Sequence, residues 1–189
     1  STGLSAPRFK ADIVIKTLTP ALHPRPKGEA RPEGAAQTHD GEMFNVSGPG
    51  EYEVKGISIS GWPLLKDSSP TFLKSVYRVK TDDITIGLLG HISESSEPEI
   101  FEELGDIDVL IMPGGGKPFI SQEAAAKLIR QISPRLVIPS FFHVPGLKRK
   151  ADSVAEFLKE IGQKAEPEEK LSIKKKELGE KMRVVVLKV

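Results

Sequence analysis

Apolar positions along this chain fall into two regimes. The first half carries short runs with strict or near-strict alternation, and the second half carries apolar runs separated by helical stripes. The clearest unit runs from Asp108 to Pro139. Val109–Met112 and Leu136–Ile138 are continuous apolar runs too short for buried helices, so they predict strands covered on both faces. Between them Ser121 is a candidate N-cap, and Ala124, Ala125, Leu128, Ile129 and Ile132 recur at helical spacing as one stripe. The pattern is βαβ. Ligands of open α/β sheets sit beyond the carboxyl ends of the strands, which directs attention to Pro113–Pro118 and Ser140–Pro145.

The same reading extends outward. Ala11–Ile15 predicts a short buried strand, followed by a Pro/Gly-rich loop over 16–41. Glu42–Ser47 and Tyr52–Gly61 predict strands on either side of Gly48-Pro49-Gly50, with a bulge near Gly56 to account for a change of phase. Leu73–Lys80 and Ile84–Leu89 predict a hairpin across Thr81-Asp82-Asp83. Ser96 with Glu99 makes a candidate capping box for a short helix ending at Gly105. Arg149–Ile161 predicts a second amphipathic helix, and Lys170–Lys174 and Arg183–Leu187 predict two late strands. Antiparallel strands followed by βαβ units predict a layered α/β or α+β sandwich.

Composition narrows the classes. The 189 residues fit one domain, 1–189, with enough chain to bury a core. Lys+Arg 27 against Asp+Glu 26 leaves a net charge of +1, which argues against nucleic acid and anionic membrane as partners. With no cysteine there is no disulfide, thiol catalysis or thiolate metal site. No apolar run approaches the roughly 20 residues needed to cross a bilayer, and no signal peptide is visible, so a cytoplasmic location is expected.

Five segments, taken in order, resemble the metallo-β-lactamase fold, especially its lactonase-like bacterial branch. These are Lys10-Ala11-Asp12-Ile13-Val14, Gly48–Ile57, Ile86-Gly87-Leu88-Leu89-Gly90-His91, Asp108–Gly116 and Val137-Ile138-Pro139. The resemblance implies a four-layer αββα sandwich, here without the family's first two strands. It also implies an open sheet edge, which residues preceding Ser1, a homo-oligomer contact or a partner chain would cover.

What the family's chemistry requires is one or two metal ions held by His and Asp at strand ends, with an activated water. Where such proteins carry His-x-His-x-Asp-His, this chain reads Leu18-Thr19-Pro20-Ala21-Leu22-His23. The histidine of the His-Leu-Gly-Asp segment is Leu88, its aspartate is His91, and the last histidine is Phe141. Leu, Pro and Phe offer a metal no electron pair. The expectation is therefore no metal at the family positions, no cofactor, and a non-catalytic binding, regulatory or structural protein. A relocated site at His23, His91 and His143 holding zinc or manganese is the alternative, making the chain a metal-dependent hydrolase of an ester, lactone or phosphoester.

The candidate ligand pocket is Gly114, Gly115, Gly116, Phe141 and His143. The three glycines before a helix could hold an anion, although a tight strand-to-helix turn is their ordinary use. Lys148-Arg149-Lys150 and Lys174-Lys175-Lys176 read as solvated faces, without interleaved aromatics.

Overall fold

The computed structural model describes residues 11–21, 37–39, 43–94, 96–165 and 167–188. The strands and helices in chain order are β1 Ile13–Ile15, β2 Leu18–Pro20, β3 Gln37–His39, β4 Met43–Val46, β5 Gly50–Val54, β6 Ile57–Pro63, β7 Phe72–Lys80 and β8 Thr85–Leu88. Then come α1 Pro98–Glu103, β9 Val109–Pro113, α2 Gln122–Ile132, β10 Leu136–Ser140, α3 Val154–Glu160, β11 Pro167–Glu168, β12 Arg183–Val184 and β13 Val186–Leu187.

One large sheet runs β12-β10-β9-β8-β7-β6-β5, with β2 added against the start of β7. It is antiparallel from β5 to β8 and parallel from β8 through β9 and β10 to β12. A smaller sheet has the order β1-β4-β3. The predicted βαβ unit is β9-α2-β10, in register from Leu136↔Val109 to Ser140↔Pro113.

Alternation along the strands decides which layer each side chain meets. Leu110, Met112 and Val137 face the helices and pack with Leu104, Ala125, Leu128, Ile129 and Phe157. Tyr52, Ile59, Tyr77 and Val79 face the other way, onto Val46 and the half-buried Ile13, Ile15 and Phe44 of the small sheet. Tyr77 is fully buried, yet its hydroxyl donates to the Lys16 carbonyl at 3.0 Å, so its polar end is satisfied. Burial holds its pKa up at about 12. Among the described residues these make three layers, helices on sheet on sheet, and the second helix layer of the expected four-layer αββα sandwich is not among them. No helix among them is long and apolar enough to cross a membrane.

Several boundaries differ from the sequence expectations, each for a local reason. The stretch 16–41, expected as loop, contributes β2 and β3, because Leu18–Pro20 pairs with Phe72–Lys74 and Gln37–His39 with Met43–Asn45. Gly56 is no bulge. Lys55 (φ 51) and Gly56 (φ 78) form a two-residue turn between the paired Val54 and Ile57, so Tyr52–Gly61 is two strands of one hairpin. Helix α1 has Glu97 as N-cap and Pro98 at its first position, with no capping box. Ser96 instead donates its hydroxyl to Asp67, and Ser93 does the same.

Helix α3 begins at Val154, five residues later than Arg149. Asp152 is held extended, its N–H donating to the Gly115 carbonyl at 2.8 Å and its carbonyl accepting from His143 N–H at 2.8 Å, and Ser153 is the N-cap. Lys170–Lys174 is not a strand. Its Leu171 and Ile173 lie against the apolar cluster of Val109, Leu136, Leu178 and Val185. Arg183–Leu187 divides at Val185 into β12 and β13, which pair with different neighbours.

Candidate functional site

The carboxyl ends of β8, β9 and β10 lie side by side, and the loops leaving them meet. After β8 the chain turns through Gly90 to His91. Gly90 is needed there: a Cβ would lie 2.3 Å from the Thr17 hydroxyl, and that hydroxyl shares a 2.7 Å hydrogen bond with His91 Nδ1. After β9 the glycine turn 114–116 carries the chain to α2. Ser121 caps that helix by accepting from Ala124 N–H.

The loop after β10 packs directly on the glycines. A Cβ on Gly115 would sit 2.2 Å from the Phe141 carbonyl oxygen and 2.8 Å from Phe142 Cα, and one on Gly114 would sit 2.7 Å from Pro139. Gly116 has φ +63, with Asp152 Oδ2 2.0 Å from where a Cβ would be. Gln122 fastens the same turn, donating through Nε2 to the Gly114 carbonyl at 3.0 Å and to Asp152 Oδ2 at 3.2 Å. Gly115 is thus set by close backbone approach, Gly114 by the side chains of Pro139 and Phe157, and Gly116 by its positive φ beside the Asp152 carboxylate, a structural reason for the run Gly114-Gly115-Gly116.

Three rings close over the junction. His91 lies 5.7 Å from Phe119 and 5.2 Å from Phe141, and the two phenyl rings are 4.9 Å apart at a 38° tilt. The Arg149 guanidinium carbon lies 4.9 Å from the Phe119 centroid and 5.7 Å from that of Phe141, within cation–π range. Its Nη2 also donates to the Phe141 carbonyl. Phe141 stays 38% exposed and has φ 56, a left-handed backbone that a non-glycine residue adopts only when its surroundings impose it. Burial first, then the positive charges of Lys74 and Arg149, lower the His91 pKa, so the imidazole is neutral at neutral pH.

Of the expected pocket, Gly114, Gly115, Gly116 and Phe141 come together. His143 is exposed and joins the group through its backbone, donating N–H to the Asp152 carbonyl at 2.8 Å. His91, named from the sequence at the family's aspartate position and in the relocated metal site but not in the pocket, is central. Phe119, Gln122, Arg149, Thr17 and Asp152 were missed. The basic run Lys148-Arg149-Lys150 conceals Arg149, because sequence pattern does not show which cation of a run turns inward.

The described residues do not fit a metal ion. Among them no group of three or more His, Cys, Asp or Glu side chains could hold one. His23 lies outside the described residues, and His91 and His143 share no such group. The charges that shift His91, those of Lys74 and Arg149, are cationic, the wrong sign for a metal neighbour.

Comparison with known proteins agrees with the fold. The family described as "Beta-lactamase superfamily domain" matches residues 1–140. A Pyrococcus horikoshii protein named a metal-dependent hydrolase is 33% identical over 123 residues, 62% of this chain and 53% of that protein. Another of the same name from Pyrococcus abyssi is 32% identical over 145 residues, 74% of this chain and 56% of its own. The chain spans about half the length of the curated relatives it matches. Among solved structures, a Thermotoga maritima protein provisionally named a Zn-dependent hydrolase of the metallo-beta-lactamase superfamily superposes with a TM-score of 0.67. It is 25% identical, and the match covers 94% of this chain and 81% of that one. These relatives correct the expectation of a non-catalytic binding, regulatory or structural protein, since they themselves carry the names of metal-dependent hydrolases.

Proposed function

Because the chain belongs to the beta-lactamase superfamily, we propose that it acts as a hydrolase of the metal-dependent kind, cleaving an ester, lactone or phosphoester at the carboxyl ends of β8, β9 and β10. The observation that carries the reading is the convergence of three strand-end loops on a neutral, oriented imidazole. His91 is turned by Thr17 and walled by Phe119 and Phe141, where open α/β sheets bind their ligands. The names of the relatives support the metal.

Since the described strand-end residues are not a metal centre, the donors in this reading come from outside the described residues, His23 first, or from another chain. Zinc and manganese are the metals it names. The role that falls to the described residues is narrower. His91, kept neutral, accepts a proton, and Thr17 fixes the plane of its ring. The rings exclude water on one side.

Two expectations travel with this proposal. One is a cytoplasmic location. The other is a second copy or partner chain along the outer edge of β1, which pairs only with β4 among the described residues.

The test is metal analysis of the purified protein together with ester and phosphodiester assays before and after chelation. Stoichiometric zinc or manganese, with turnover that chelation removes, is the expected result. Protein free of metal and without turnover on either class overturns the reading.

A further inference from the structure

We infer that Arg149 marks a binding point for an anionic oxygen group, phosphate or carboxylate, on a ligand whose apolar part lies against Phe119 and Phe141. As a statement about substrate it rests on the hydrolase reading above. As a statement about binding it stands on the geometry of Arg149 itself.

The guanidinium is drawn in against two phenyl rings, which solvate a cation far less well than water does. Nη2 has an acceptor in the Phe141 carbonyl, whereas Nη1 is buried and has no hydrogen-bond partner. No carboxylate lies within ion-pair distance of Arg149 among the described residues. Asp152, the acid that ties the glycine turn, already receives a hydrogen bond from Gln122. Arginine does not shed its proton to escape such a setting.

A half-buried cation with one buried, unpartnered N–H is a costly arrangement for a structural residue, and it is an arrangement that recognises an anion. The charges of Lys74 and Arg149, both felt by His91, add in the same direction. Phe141, an exposed residue held in a left-handed backbone, is the surface an apolar group would meet.

The test is titration calorimetry on the full chain with phenyl phosphate, benzoate, inorganic phosphate and phenol. Phenyl phosphate and benzoate separate the two anion chemistries, inorganic phosphate isolates the anion, and phenol isolates the ring. The better of the two aromatic anions is expected to bind at least about 10-fold more tightly than phenol. The neutral variants Arg149→Met and Arg149→Gln, each checked by thermal melting, are expected to lose roughly 10- to 100-fold of that affinity. Lys80→Met, at the opposite end of the sheet beside Thr85, is expected to lose none.

Equal affinity in wild type and in either folded Arg149 variant overturns the inference, as does phenol binding as well as the anions. Arg149-dependent binding without any hydrolysis would fault the hydrolase reading and leave the anion site standing. Hydrolysis without Arg149-dependent binding would do the reverse.

Discussion

Substituting Gly115 by alanine adds one methyl group where two backbones touch. The new Cβ would lie 2.2 Å from the Phe141 carbonyl oxygen, 2.9 Å from its carbonyl carbon and 2.8 Å from Phe142 Cα. All three are backbone atoms, so no side chain can rotate away to make room. The glycine turn and the loop after β10 must separate by about 1 Å or more to restore ordinary contact. That movement strains the two bonds that tie the loops, Gly114 N–H to the Ser140 carbonyl at 2.7 Å and Asp152 N–H to the Gly115 carbonyl at 2.8 Å.

Overpacking alone costs about 1–3 kcal/mol, and each weakened hydrogen bond adds roughly 1 kcal/mol. A loss of about 3–5 kcal/mol follows, equivalent to a fall in melting temperature of roughly 6–20 °C for a chain of this size. Urea unfolding followed by circular dichroism, with calorimetry for the melting temperature, measures it. Gly48→Ala is the control, because nothing lies within 4 Å of the added Cβ; a change within about 0.5 kcal/mol is expected there. If Gly115→Ala unfolds at the same urea concentration as Gly48→Ala, the close approach at the strand ends is not real and the site geometry falls with it.

Other consequences can be checked separately. Asp108 is 9% exposed and accepts from Thr85 N–H at 3.0 Å while meeting Lys175 Nζ at 3.3 Å. Asp108→Ala leaves that N–H without its acceptor and should cost about 2–4 kcal/mol, with faster proteolysis of residues 170–178; unchanged stability in urea would refute the role. His91 offers a pH test. Its folded pKa lies below the ordinary value of 6.5, so below that pH the unfolded chain binds the extra proton and stability falls, levelling once the folded imidazole also titrates. Well above pH 6.5, from about pH 7.5, the residue contributes no slope. His91→Gln should flatten the loss of stability between about pH 7 and pH 5, and an unchanged slope would show that other groups cause it.

How far the sequence reached depends on what kind of pattern each element carries. The β9-α2-β10 unit was legible because its two strands are buried on both faces and α2 has a cap and an apolar stripe within itself. The hairpin at Lys55-Gly56 was misread because Lys55 takes a left-handed backbone that lysine does not advertise, whereas Asn or Asp there would have announced the turn. The start of α3 was placed five residues early, since Arg149 to Asp152 are compatible with helix in isolation. Tertiary bonds to Gly115 and His143 hold Asp152 extended.

The site divides along the same line. Gly114–Gly116 and Phe141 could be named from their position after strands. Phe119 and Arg149 could not, because their importance lies in facing each other across 30 residues of chain. The contact between Thr17 and His91 spans 74 residues and leaves no local trace.

The change of strand direction at β8 gives the molecule an order of assembly. On one side, β5 to β8 are joined by short hairpins, with partners such as Val54↔Ile57 and Lys80↔Thr85 only a few residues apart. On the other side, parallel pairing waits for distant chain, from Ile86↔Val109 to Leu136↔Arg183. Loop closure over such distances is slow, so the hairpin half is expected to form first and serve as the template for the parallel half. The strand-end junction needs both halves, with Thr17 brought to His91 and Arg149 to Phe119. Recognition at this end of the sheet is therefore available only to chains that have completed folding, and a partly folded chain exposes the template without the site.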